Sequence, residues 1–290
     1  MNSQTVTCVG AVHWDTVAQV THPLRKGGDV PGFVRRAPGG VAFNIATGLA
    51  KRGVRTRLVA AVGGDTDGDV LLNIARLSGV ETDHVQRISH AGTDQFVALE
   101  DTNGELFGAV ADTSTLDNVA DTLFHSFEGR PIGGIILLDA NLPQRVIDML
   151  ASSTMLRGAD LRLVSASPAK APRLRGLTQM AGGTVYANLA EANAMLDGAY
   201  SDAASAAQAF CAQGANGALV TAGPRTAAWA TATQTITAAP PPVVGRSTNG
   251  AGDALVAGHI AAQLSRRSAW EALQAGLRAA AEKMQAGRER

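Results

Sequence analysis

The chain has 290 residues, of which 46% are hydrophobic and 4% are aromatic, and its 25 basic and 25 acidic residues give a formal net charge of zero. This length suits one large α/β domain with an insertion, and Ala, Val, Leu and Ile must fill its core. A neutral chain with no basic stripe argues against a nucleic-acid partner. No apolar run reaches ~18 residues, so we also expect no membrane partner.

The cysteines and the first residues indicate where the protein resides. Cys8 and Cys211 lie far apart and form no CxxC, which excludes a zinc ribbon and a thioredoxin-type site. Residues 1–7 are polar and do not resemble a signal peptide. We therefore expect a cytoplasmic location.

Short β-rich runs alternate with helical runs along the chain. In chain order, the patterns predict strand 6–12, helix 41–51, strand 57–62, helix 69–77, strand 135–138, helix 143–151, strand 161–164, strand 185–187, helix 203–212, strand 218–221, helix 252–264 and helix 269–284. Such βα alternation favours a mostly parallel sheet with helices on both faces.

Two segments break this alternation, at about 14–37 and 94–113. The first is rich in Gly and Pro between short β-like runs. The second predicts a hairpin, because Asn103-Gly104 is flanked by strand residues on both sides. Neither segment can join a parallel sheet directly. We predict that they form a small β lid over the ligand edge of a single domain that spans residues 1–290.

A glycine-rich run precedes the helix predicted at 252–264. It reads Thr248-Asn249-Gly250-Ala251-Gly252-Asp253-Ala254-Leu255. Small residues allow close backbone approach, and the free N–H groups of a helix start attract phosphate or developing negative charge. A carboxylate at Asp253 could accept a proton from an attacking hydroxyl. A purely structural explanation also exists, since an acid at a helix N-terminus is stabilising.

The N-terminal third contains a second group of candidate site residues. Gly39-Gly40 precedes a helix with Asn44 on it, and Asp15 follows the first strand, at the edge where open α/β sheets bind ligands. A tight turn and a solvated loop acid are the structural alternatives. The roles of His13 and Trp14, in the lid or at its hinge, stay open.

Asn188 and Glu191 lie one turn apart at a predicted helix start. An amide and a carboxylate suit water-mediated Mg²⁺ binding, and they equally suit a capping box, so both roles can coexist. A further strand ends in Thr221-Ala222-Gly223, where a nucleotide loop could follow.

These motifs, with 62–68 (VGGDTDG), resemble the ribokinase-like (PfkB) family of sugar and nucleoside kinases in type and order over nearly the whole chain. The resemblance implies a three-layer sandwich with a mostly parallel central sheet and a β lid, and transfer of a phosphoryl group from ATP with Mg²⁺, with a monovalent cation as a further candidate. It implies catalytic roles for Gly250, Ala251, Gly252 and Asp253. It implies substrate binding by Asp15, Gly39, Gly40, Asn44 and Asp253. It implies nucleotide binding by Asn188, Thr221, Gly223, Asn249, Gly250 and Gly252. It implies Mg²⁺ binding by Glu191 and, through water, by Asn188.

The sequence departs from the family pattern at three positions. Ser247 stands where the leading Asp of the second signature is usual, Thr226 where a Gly is common, and Ser165 where relatives often carry Asp. Other classes match less well, because the chain contains no P-loop run, no GxGxxG after the first strand and no GxSxG elbow.

Three further segments bear on which acceptor is phosphorylated. The hairpin 93–112, the segment with Asp139 and Asn141, and the order Ser167-Pro-Ala-Lys170 resemble the pseudouridine kinases of this family. They imply pseudouridine as the acceptor and Asp139 and Asn141 as substrate-binding residues, although both could be structural caps. Another nucleoside, a pentose or a hexose stays open, as does a non-catalytic ligand sensor. Phe96 and Val97 in the lid would permit a homodimer.

Overall fold

The computed structural model describes residues 5–243 and 249–286, apart from the side chains of Met180 and Ala181. Ser247 and Thr248, at the start of the glycine-rich run, lie outside the described residues. The strands are β1 Val6–Val9, β2 His13–Val20, β3 Gly32–Gly39, β4 Thr56–Gly63, β5 Val80–Ile88, β6 Gln95–Glu100, β7 Leu106–Asp112, β8 Ile135–Asp139, β9 Asp160–Val164, β10 Thr184–Asn188, β11 Gly217–Ala222, β12 Arg225–Ala230 and β13 Thr235–Ala238. The α-helices are α1 Val41–Ala50, α2 Thr66–Leu77, α3 Ser114–Asn118, α4 Gln144–Ser152, α5 Arg175–Ala181, α6 Leu189–Leu196, α7 Ala203–Ala212, α8 Ala251–Leu264 and α9 Ala269–Ala286.

The main sheet confirms the predicted α/β class. Its nine strands have the order β13-β12-β11-β10-β9-β8-β1-β4-β5. Seven neighbouring strands of this sheet pair in parallel, namely β11, β10, β9, β8, β1, β4 and β5. The hairpin of β12 and β13 extends the sheet beyond β11 with antiparallel pairing. The first strand ends at Val9 rather than at residue 12, because Gly10 adopts φ 151° and the chain leaves the sheet there for the lid.

Alternate residues of the central strands face two separate apolar layers. In β8, Ile136 and Leu138 belong to the layer under α3 to α7, whereas Ile135 and Leu137 belong to the layer under α1, α2, α8 and α9. Strands buried on both faces read as continuous apolar runs, which is typical of parallel sheets. The result is the three-layer sandwich that the sequence predicts. Within the described residues, every helix is too short or too polar to cross a bilayer.

The two segments that break the alternation form one four-stranded sheet, which is the predicted lid, in the order β3-β2-β6-β7. Three side chains attach it to the main body. The guanidinium of Arg36 lies 4.3 Å from the ring centroid of Trp14 and pairs with the carboxylate of Asp67 in the first turn of α2. The indole N–H of Trp14 donates to the backbone oxygen of Asp67 over 3.3 Å. Trp14 therefore packs at the hinge, which was one of the two roles left open by the sequence.

Candidate active site

The glycine loop and the start of α8 form the centre of the site. Gly250 is the N-cap of α8 and adopts the left-handed conformation at φ 71°, which favours glycine. The first intrahelical bond runs from the amide of Ala254 to the carbonyl of Gly250 over 3.0 Å. The N–H groups of Ala251, Gly252 and Asp253 precede that bond and are the donors that a helix start offers to an anion. A Cβ on Gly252 would meet no atom within 4 Å, so the backbone there borders open space.

Asp253 lies in the first turn of α8 and contacts a residue of α1. The side-chain amide of Asn44 donates to Oδ2 of Asp253 over 2.8 Å. Burial raises the pKa of the Asp253 carboxyl to about 7, and the charges of Asp139 and Asp15 add to this, whereas the Asn44 hydrogen bond and Lys283 oppose it. A pKa near neutrality suits a general base that works at physiological pH.

Asp15 lies on β2 and reaches the same loop. The amide of Asn249 donates to its Oδ2 over 3.1 Å, and Nδ1 of His13 lies 3.1 Å from its Oδ1. A Cβ on Gly39 would lie 2.6 Å from the Asp15 carboxylate, so only glycine leaves room for this acid. Gly40 adopts φ 99°, and a Cβ there would lie 2.2 Å from the carbonyl oxygen of Ala11. The two glycines therefore bring the lid strands and α1 together around Asp15.

Asp139 takes a different place from the one implied by the resemblance. Its side chain is fully buried, and its oxygens accept hydrogen bonds from the backbone amides of Ala11, Ala42 and Asn141 over 2.9, 3.0 and 2.7 Å. It therefore ties the end of β8 to the start of α1 and has no surface to offer to a substrate. This geometry favours the structural alternative for Asp139. Asn141 is half-buried and accepts a hydrogen bond from the ammonium of Lys170 over 2.7 Å.

The nucleotide half of the site lies at the carboxyl ends of β9, β10 and β11. Asn188 and Glu191 form a capping box at the start of α6. Oε2 of Glu191 accepts from the Asn188 amide over 2.8 Å and from the hydroxyl of Ser165 over 2.5 Å. Ser165 thus contacts Glu191 at the position where the sequence departs from the family pattern. Thr221 is the second-last residue of β11 and pairs with Asn188, whereas Gly223 lies in the exposed turn that leads to β12.

A cleft of about 360 Å³ joins this half to the glycine loop. Its wall includes Ser165, Asn188, Glu191, Thr221, Asn249, Gly250, Gly252 and Asp253. A larger depression of about 460 Å³ lies elsewhere, beside Phe124 and Met149, and its wall includes none of the residues singled out by the sequence. We therefore take the smaller cleft as the candidate active site, since its wall contains the glycine loop and the carboxylates of Glu191 and Asp253.

Sequence reasoning missed one residue of the site, Lys283 of α9, which lies beside Gly250. It noted Ser165 only as a departure from the family pattern, and the structure shows that Ser165 donates to Glu191. Lys283 belongs to no recognisable motif and reaches the loop only through the packing of α9 on α8. No local signal in the sequence could have indicated it.

A helix start that can hold an anion, beside a carboxylate that can accept a proton, is an arrangement that suits a phosphotransferase. The profile of the pfkB family of carbohydrate kinases matches residues 3–288. The chain therefore belongs to the pfkB family.

Among curated proteins, the chain is 29% identical over 143 residues to the pseudouridine kinase of Escherichia coli (strain K12), a match that covers 49% of this chain and 46% of that protein. It is 30% identical over 142 residues to the pseudouridine kinase of Arabidopsis thaliana, which covers 48% of this chain and 37% of that protein. Each match thus spans less than half the length of the curated relative.

Solved structures resemble the whole chain. A carbohydrate kinase from Agrobacterium tumefaciens is 26% identical, with a TM-score of 0.78 over 96% of this chain and 90% of that one. The Arabidopsis thaliana ribokinase, solved with ribose and ATP, has a TM-score of 0.79 at 20% identity over 98% of this chain and 93% of that one. These likenesses establish the ribokinase-like fold.

Proposed function

We propose that this protein transfers the γ-phosphoryl group of ATP to a hydroxyl group of a nucleoside or sugar. The observation that carries the proposal is the placement of Asp253, which lies at the N-terminus of α8 beside the glycine loop and holds Asn44 at 2.8 Å. This turn combines a base with an anion hole. In phosphoryl transfer, the base accepts the proton of the acceptor hydroxyl, and the anion hole stabilises the negative charge on the phosphoryl oxygens.

The chemistry requires little beyond positioning and electrostatic stabilisation. The acceptor oxygen attacks the γ-phosphorus, its proton passes to the ionised carboxylate of Asp253, and the bond to the leaving oxygen of ADP breaks. The backbone N–H groups of Ala251 and Gly252 donate to the phosphoryl oxygens. Asp15 and Asn44 orient the acceptor from the side opposite the nucleotide. Closure of the lid excludes water, which would otherwise compete as an acceptor.

The chain offers suitable groups for the metal that accompanies ATP. Mg²⁺ prefers oxygen ligands and keeps several of its waters. Glu191 presents a carboxylate at the cleft wall, and its Oε2 is held by Ser165 and by the amide of Asn188. Its other oxygen can accept from metal-bound water, with Asn188 beside it. Bound there, Mg²⁺ would neutralise charge on the triphosphate.

Pseudouridine is the acceptor that we propose first. The support comes from the matched halves of two pseudouridine kinases and from the hairpin of β6 and β7, which has the predicted Asn-Gly turn. Other relatives keep a second candidate open. A guanosine-inosine kinase of Exiguobacterium acetylicum is 28% identical over 101 residues, and the ribokinase of Bacillus subtilis (strain 168) is 25% identical over 146 residues. Another nucleoside or a pentose is therefore the alternative acceptor.

The lid also supports the proposed homodimer. Val34, Val97 and Val110 belong to three strands of the lid sheet, and the strand register places them on the same face. Their side chains are 72%, 43% and 71% exposed. An exposed apolar face of this kind is a common interaction surface. Light scattering is expected to give twice the chain mass, and a mass of one chain at micromolar concentration would reject the dimer.

A coupled ADP-release assay tests the function. It uses ATP, Mg²⁺ and five acceptors, namely pseudouridine, uridine, adenosine, ribose and fructose. A higher turnover rate with pseudouridine than with the other four acceptors would support pseudouridine as the substrate. A higher rate with another acceptor would identify that compound as the substrate and leave the kinase mechanism unchanged. Binding of nucleoside without turnover of ATP by any member would favour a ligand sensor.

A further inference from the structure

Lys283 belongs to the last turn of α9 and lies against the glycine loop. A Cβ on Gly250 would lie 3.1 Å from Cε of Lys283, 3.8 Å from its Nζ and 3.7 Å from the side-chain nitrogen of Asn44. Asn44 in turn donates to Asp253. The ammonium group, the amide and the carboxylate base therefore converge around one glycine.

The packing of α8 on α9 fixes this placement. The two helices run antiparallel, so the end of α9 lies beside the start of α8. Two glycines allow close approach, since a Cβ on Gly258 would lie 2.8 Å from Cβ of Ala279 and a Cβ on Gly276 would lie 2.9 Å from the carbonyl oxygen of Leu255. Helices in such close contact cannot slide or rotate freely. The packing of α8 on α9 thus fixes where the Lys283 side chain leaves the helix, and the side chain itself is exposed.

We infer that Lys283 is a further active-site residue, whose ammonium group beside Gly250 supplies positive charge for the phosphoryl oxygens at the glycine loop and acts on the Asp253 carboxylate through space. The inference rests on the proposed phosphoryl transfer. A cation at this place would offset the charges of two further carboxylates, Asp15 and Asp139, which act on Asp253. A preorganised cation beside the transferred group is a common source of transition-state stabilisation.

The titratable groups around Asp253 come from four elements or loops. They are Asp15 with His13 from β2, Asp139 from β8 with Lys170 from the loop after β9, and Lys283 from α9. Asp139 and Asp15 raise the pKa of Asp253, and Lys283 lowers it. Removal of the Lys283 charge is therefore expected to move the acidic limb of the pH profile to higher pH.

A purely structural role for Lys283 makes a different prediction. A cation near a helix C-terminus stabilises the helix, and its aliphatic stem can cover apolar surface. In that case, substitution would lower the melting temperature and leave the kinetic pKa and the affinity for ATP unchanged.

The experiment compares Lys283→Ala and Lys283→Arg with Arg278→Ala, which removes an exposed cation from the same helix. We expect Lys283→Ala to lower kcat/KM by roughly tenfold or more and to move the acidic limb upward. Lys283→Arg should retain most of the rate, and Arg278→Ala should behave as wild type. Methylammonium ions at high concentration should restore part of the rate of Lys283→Ala but not raise that of wild type.

Three results would overturn the inference: equal kinetics of Lys283→Ala and Arg278→Ala, an unchanged acidic limb, or a wild-type enzyme that turns over only with added potassium or ammonium ions. A wild-type protein that turns over no acceptor defeats the proposed function instead. Calorimetry with ATP then tests Lys283 alone, and Lys283→Ala must weaken ATP binding more than Arg278→Ala does.

Discussion

Substitution of Asp253 by Asn tests two properties of this carboxylate separately. One is its role as a proton acceptor in catalysis, and the other is its effect on the free energy of unfolding. Asn is nearly isosteric and keeps an oxygen that can accept from Asn44, so the fold should be retained. It cannot accept the proton of the acceptor. Because a positioned general base contributes roughly 10²- to 10⁴-fold, kcat should fall within that range while the KM for ATP changes little.

The pH dependence follows from the pKa of Asp253, which burial raises from 3.8 to about 7. The base must be ionised, so wild-type kcat/KM for the acceptor should fall below pH 7, and Asp253→Asn should lack this limb. The raised pKa favours the folded state when Asp253 is protonated, and that contribution is lost as the pH rises through about 7. The shift sets an upper limit of about 4 kcal/mol, which water in the open cleft reduces.

We therefore expect Asp253→Asn to be more stable than wild type by about 1–2 kcal/mol at pH 8 and by nearly nothing at pH 4. The assays are initial rates between pH 5 and 9 and chemical denaturation at both pH values. Asp69→Asn is the matched control, since Asp69 is an exposed acid in the first turn of another helix. Full activity of Asp253→Asn, or a loss of stability at pH 8, would refute the reasoning.

The remaining predictions concern the supports of the site. Gly39→Ala should raise the KM for the acceptor at least tenfold and leave the KM for ATP unchanged, because its Cβ would lie 2.6 Å from the Asp15 carboxylate; steady-state kinetics with each substrate varied test this. Asp139→Ala should lower the free energy of unfolding by about 3 kcal/mol, because three backbone amides lose their acceptor; denaturant titration measures it, and an unchanged midpoint would contradict the structural role. Glu191→Gln should keep its capping contacts and the fold but raise the Mg²⁺ concentration needed for half-maximal rate; a magnesium titration at fixed ATP decides, and an unchanged curve would remove Glu191 from the metal site.

The sequence was sufficient for the elements whose signals are local. The helix predicted at 203–212 coincides with α7, and the glycine-rich run marks the start of α8 to within one residue. The Asn-Gly turn correctly indicated the hairpin of β6 and β7. In each case, the signal is small turn residues or apolar periodicity within a segment of at most ten residues.

Other features depend on contacts that sequence patterns do not contain. Strand β5 was missed because its residues Val80–Ile88 are mostly polar on an edge of the sheet. The burial of Asp139 depends on two amides supplied by distant segments, those of Ala11 and Ala42, and the approach of Lys283 to Gly250 follows from helix packing. Tertiary structure determined these positions, and no local motif encodes them.

The most direct test of the central claim is to identify the product formed from ATP and pseudouridine. Phosphorus NMR and mass spectrometry of the reaction should show one phosphate monoester of the nucleoside for each ADP, with little inorganic phosphate, and Asp253→Asn should form almost none. Inorganic phosphate as the sole product with every acceptor of the panel, or an equal yield of ester from Asp253→Asn, would contradict the account.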